Sequence, residues 1–147
     1  MRHARLLLVV AAVAGSAAMG SGQSTPGSPR VSLVRLPDWA IQPQLVADAA
    51  GVLHLLYFKG KAAHGDLFYA QVGGNGSFSR TTPVNARSGS AIATGTMRGG
   101  HLAIGRNGRV HVAWHGSDQA QPRAQDGATP VLYTRMNAAG SVIRCAT

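Results

Sequence analysis

The apolar positions of this chain fall into short runs separated by turns rich in glycine, asparagine and proline. "LVA" at 45–47, "VLHLLY" at 52–57 and "DLFYAQV" at 66–72 are aliphatic and aromatic enough to be strands, and too short to be helices. "DAAG" at 48–51 joins the first two in a tight antiparallel hairpin. "KGKAAHG" reads as a polar loop, "GGNGS" as a turn, and Phe78 as the start of a fourth strand. Ahead of these, "VSLVRL" at 31–36 alternates loosely until Pro37 stops it, the pattern of an edge strand. Outside the first 20 residues no stretch carries a helical period.

The same course is then run again. Placing Gly108 over Gly51 puts His111 on His54 and Trp114 on Tyr57, a constant offset of 57. "HLAI" at 101–104 repeats "QLVA" at 44–47, and "VLYTR" at 131–135 repeats "LFYAQ" at 67–71, where the offset has become 64. The loop between, "HGSDQAQPRAQDGATP", therefore holds seven more residues than its counterpart. Self-similarity at such a period marks stacked supersecondary units. The expectation is an all-β chain of β-propeller-type blades, each of four antiparallel strands, with about two blades in repeat units 41–90 and 97–147. A β-sandwich is the alternative, but a sandwich does not require its hairpin pairs to be copies.

Residues 1–20 have a basic start, an apolar run from Leu6 to Ala14 and small residues up to Ala18 and Gly20, the layout of a signal peptide. The run is shorter than the roughly 20 residues needed to span a bilayer, so a secreted or periplasmic product without stable membrane insertion is expected. Residues 21–30, small, polar and proline-rich, read as a disordered linker, leaving 31–147 as one partial propeller domain. The single cysteine, Cys145, allows no internal disulfide, so stability must come from buried apolar surface.

Lysine and arginine number 14 against five acids, and glutamate is absent. The basic residues are scattered singly and no nucleic-acid module is recognisable, which argues against DNA or RNA; the charge fits a generally cationic exported protein, with an anionic glycan as the alternative partner it would suit. His54, His111 and His115 do not make a metal site, because two ligands on a strand lack the third that zinc needs. No cofactor is implied. Asp48 and Asn107 fit tight turns through side-chain bonds to the backbone and tolerance of left-handed geometry.

Arg98 departs from the repeat: its counterpart in the first copy is Ile41, so packing does not call for arginine there. "RGGHLAIGRNGRVHVAW" resembles the opening blade of the sialidase superfamily, in which an Arg-Ile-Pro-x-Leu element precedes a glycine turn and a strand, although Gly99 and Gly100 replace Ile and Pro. "GGNGSF" and "NAAGSV" are similar to degenerate forms of that family's Asp-box, Ser-x-Asp-x-Gly-x-Thr-Trp, without the aspartate. The resemblance implies glycoside hydrolysis of a sialic-acid-like sugar, with Arg98 and Arg123 gripping the substrate carboxylate and Asp126 as acid. Guanidinium groups bind carboxylates bidentately, and the family's nucleophile is a tyrosine activated by glutamate. That glutamate, the third arginine and the blades that would carry them are not in this sequence. Two blades cannot close a ring, so the expectation is a truncated member, inactive alone, that self-associates.

Overall fold

The structure, a computed structural model, describes residues 31, 33–36, 39–96, 99–123 and 125–143. Leu33–Thr147 forms a unit of its own and is described by itself. The expected signal peptide and linker lie outside the described residues.

The architecture is all-β: a first antiparallel sheet in the order β1-β2-β3-β4 and a second in the order β5-β6-β7. The first contains β1 (Ile41–Ala47), β2 (Leu53–Lys61), β3 (His64–Val72) and β4 (Thr82–Pro83); the second contains β5 (Gly100–Ile104), β6 (Val110–His115) and β7 (Val131–Met136). The only helical element among the described residues is a 3₁₀ turn at Arg106–Gly108. No described helix is long and apolar enough to cross a membrane.

Two readings of the chain are corrected. Val31 and Leu33–Leu36 join no ladder, and Val31 and Leu33 stand almost fully exposed. Their alternation is too loose to give a strand a buried face; Val34 rests against Gly76 and Leu36 is partly buried. The supposed loop at 59–65 is instead the end of a long hairpin, closed by a turn at Ala62 and Ala63 with Lys61 opposite His64. Gly60 pairs with Gly65, where a side chain would overlap the Phe58 ring, so the strands run on beyond the point at which polar composition suggests a stop.

The repeat is reproduced in backbone detail. The Asp48 N–H donates to the Val52 carbonyl (3.0 Å) in the first hairpin, and Gly105 donates to Arg109 (2.7 Å) at the equivalent place in the second. Gly73 donates to Ser77 (2.8 Å) after β3, and Asn137 to Ser141 (2.9 Å) after β7. Gly76 and Gly140 fill the same left-handed turn position, φ 79° and 77°, which glycine adopts without a Cβ penalty. Phe78 bridges to Val72 as Val142 bridges to Met136, but these are single bridges: the fourth strand of the first sheet is Thr82–Pro83, not a strand from Phe78, and the second sheet has three strands among the described residues, not the four expected.

Alternation along the strands gives each sheet two faces. The front carries His54, Leu56, Phe58, Leu67 and Tyr69 in the first sheet, and His111, Ala113, His115, Val131 and Tyr133 at the equivalent places in the second. The back carries Leu55, Tyr57 and Phe68 in the first, and Val112, Trp114 and Leu132 in the second. One buried cluster joins the front of the first sheet (Leu56, Phe58, Leu67, Tyr69) to the back of the second (Leu102, Val110, Val112, Trp114, Met136). The two copies are thus stacked front to back. Gly100 makes the approach close, since a Cβ there would sit 2.8 Å from Leu67 Cδ1 and 3.0 Å from Leu56 Cδ2.

Candidate functional site

The innermost strands of the two sheets, β1 and β5, lie side by side. A register shift between Ile41 and Gln44, with Gln42 at φ 51°, marks a β-bulge in β1. From it the Gln42 side-chain carbonyl accepts the Gly99 N–H (2.5 Å), and the Gln44 carbonyl accepts the Leu102 N–H. The edge of β5 is therefore held by side chains of β1. Gln42, Pro43, Gln44, Gly100 and His101 line a cleft of about 200 Å³ at this junction. Arg98 lies outside the described residues. Neither glutamine stood out in the sequence, because a bulge that redirects a strand leaves no mark in composition.

Beyond the starts of β1 and β5, where β3 begins and β6 ends, the sheets are also tied by residues 89–93. Ala91 pairs with Gly65 of the first sheet (N–O distances 2.9 and 3.0 Å) and bridges to Gly116 beside the second. Asp66 Oδ1 accepts the Gly89 N–H and the Asn85 amide (both 2.7 Å), and its Oδ2 accepts the Ser88 hydroxyl (3.0 Å). Asn85 Oδ1 accepts the Leu67 N–H (2.8 Å), and the Ser117 hydroxyl donates to the Gly89 carbonyl (2.6 Å). Buried polar groups satisfied in this way hold a loop in one conformation.

The enlarged loop, 116–130, contains two residues that the sialidase resemblance marks. Arg123 donates to the Asp118 carbonyl through Nη1 (2.7 Å) and to the Gly127 carbonyl through Nε (3.1 Å) and Nη2 (2.7 Å). Asp126 Oδ1 accepts the Ala128 N–H (2.9 Å), the bond of an Asx turn. Both side chains are exposed, and each bonds to the main chain of its own loop. The loop is also anchored to the first sheet, with His64 Nδ1 3.1 Å from Asp118 Oδ1.

The two repeat histidines each pair with a tyrosine: His54 Nδ1 with Tyr69 Oη at 2.6 Å, and His111 Nδ1 with Tyr133 Oη at 2.7 Å. The first pair is buried and extends through His54 Nε2 to Asp48 (3.3 Å); the second is exposed. Asp48 Oδ1 also accepts the Val52 and Ala50 N–H groups, both at 2.9 Å. The bond from Val52 is the main cause holding the Asp48 carboxyl below its ordinary range, with contributions from His54 and Ala50. Burial pushes the Tyr69 hydroxyl above its ordinary value, so it stays protonated. The histidines therefore fill matching polar slots. No three described His, Cys, Asp or Glu residues are placed to hold a metal. Compared with family models, curated proteins and solved structures, the chain matches none.

Proposed function

We propose that this chain is the two-blade part of an exported β-propeller protein similar to the sialidases, acting in full-length form as a glycoside hydrolase on a sialic-acid-like sugar. The observation that carries the reading is the front-to-back stacking of two copies of one unit, with the innermost strands side by side. Blades of a propeller stack in this sense around an axis, whereas a sandwich made by a two-fold would bury like faces against each other. The resemblance assigns Arg98 and Arg123 to the sugar carboxylate, with Asp126 as acid, and the cleft beside β1 and β5 is the place we propose for the sugar. Residues 1–20 direct secretion or transfer to the periplasm, and the excess of basic residues favours an anionic glycan.

A second reading, a propeller that binds glycan or protein without chemistry, draws on the engagement of Arg123 with its own loop. To grip a carboxylate this guanidinium would have to give up bonds to two carbonyls. The readings differ in outcome. In a full-length protein that hydrolyses a fluorogenic sialoside, Arg98→Ala abolishes turnover, and unchanged turnover removes Arg98 from the site. Glycan binding with no hydrolysis selects the binding reading.

A further inference from the structure

The two glutamines that hold β5 are engaged at one end only. Each carboxamide faces a backbone N–H, Gln42 that of Gly99 (2.5 Å) and Gln44 that of Leu102, and only an oxygen can accept there, so Oε1 is fixed on the backbone. The other end of each planar amide, Nε2 with its two N–H donors, bonds to no atom of the described residues. Both side chains are partly buried and line the cleft with Pro43, Gly100 and His101. We propose that Gln42 and Gln44 bind the carboxylate of an acidic sugar in this cleft through their Nε2 groups. The choice of a sugar rests on the function proposed above; the choice of these two donors rests on the geometry.

A carboxylate only accepts hydrogen bonds, whereas a sugar hydroxyl both donates and accepts. The free ends of the glutamines offer N–H groups and no oxygen, His101 carries an N–H in either tautomer, and none of the five lining residues is acidic. Hydrogen bonds to an ionised acceptor are about twice as strong as neutral ones, so this set of donors favours the charged group. A volume of about 200 Å³ is less than the roughly 300 Å³ at which pockets begin to enclose a small ligand. The cleft therefore takes the carboxylate end of the sugar and leaves the ring outside. Both amides are oriented by the backbone before any ligand arrives, which lowers the cost of binding. The bulge also keeps Gln42 at φ 51°, a left-handed conformation that a residue other than glycine holds only at a cost.

The probes are two sugar acids, N-acetylneuraminate and glucuronate, and their methyl esters, titrated into the nitrogen-labelled chain. The side-chain NH₂ resonances of Gln42 and Gln44 are expected to move saturably with at least one acid and not with its ester. Gln44→Glu keeps an oxygen for the Leu102 N–H but turns the donor end into an acceptor. It is expected to leave the circular dichroism unchanged and to weaken binding of that acid at least ~10-fold in about 0.5 M salt, which screens simple charge repulsion. If Gln44→Glu does not fold, Gln42→Glu takes its place. Binding of neither acid, equal binding of the ester, unmoved NH₂ resonances, or a folded variant that binds like its parent overturns the assignment. The hydrolytic reading fails separately. Turnover lost in full-length Arg98→Ala while the glutamine resonances stay unmoved keeps hydrolysis and removes the glutamines. Glucuronate bound at Gln42 and Gln44 in a protein that hydrolyses no sialoside keeps the glutamines and removes hydrolysis.

Discussion

Tyr69 and His54 occupy the core of the first sheet as a hydrogen-bonded pair, with Tyr69 Oη the partner of His54 Nδ1. Removing the tyrosine hydroxyl while keeping its ring strands His54 Nδ1 in the interior. A buried group that loses its only partner costs about 1–3 kcal/mol, more than the net value of the bond itself. Tyr69→Phe is therefore expected to lower the unfolding free energy by that amount, seen as a lower urea midpoint at an unchanged slope; an unchanged midpoint would show that the bond contributes nothing. The roles of Asp48, Asn107 and the turn glycines were legible from the sequence, because turn chemistry is local. Asn107 does adopt φ 59°, and Gly51 and Gly108 are left-handed as their positions required. The partner of His54 was not legible, since the tyrosine is 15 residues away and the pairing depends on strand register.

At the scale of elements, the hairpins and the constant offsets carried the reading, and the strands fall close to where the apolar runs placed them. What escaped was strand length at the solvent end, where Lys59 and Lys61 look like loop residues but continue a ladder. The inter-sheet clamps of Gln42 and Gln44 escaped as well, because contacts between units depend on how the sheets stack. Gly100 is the most direct probe of that stacking. Its backbone does not need glycine's left-handed freedom, so an alanine there is resisted by the Leu67 and Leu56 methyls alone. Overpacking in a closed core typically costs about 1–3 kcal/mol. Gly100→Ala is expected to unfold at correspondingly lower denaturant, and a variant as stable as its parent would mean that the two sheets do not meet there.

For the whole molecule, the repeat does more than duplicate a sheet. The front of the first unit packs on the back of the second in one buried cluster. The all-β class was legible from the sequence because periodicity and turn signals agreed. The sense of stacking was not, because both a sandwich and a propeller satisfy the same alternation of apolar and polar residues. The candidate site depends on this relation too: the cleft between β1 and β5 exists only if the innermost strands lie side by side.

The measurement that tests front-to-back stacking most directly is the set of nuclear Overhauser contacts from the Gly100 α-protons in the isotope-labelled chain. Contacts to the methyl groups of Leu56 and Leu67, both on the front of the first sheet, are expected. Contacts to Leu55 on its back, or none to the first sheet, would contradict it.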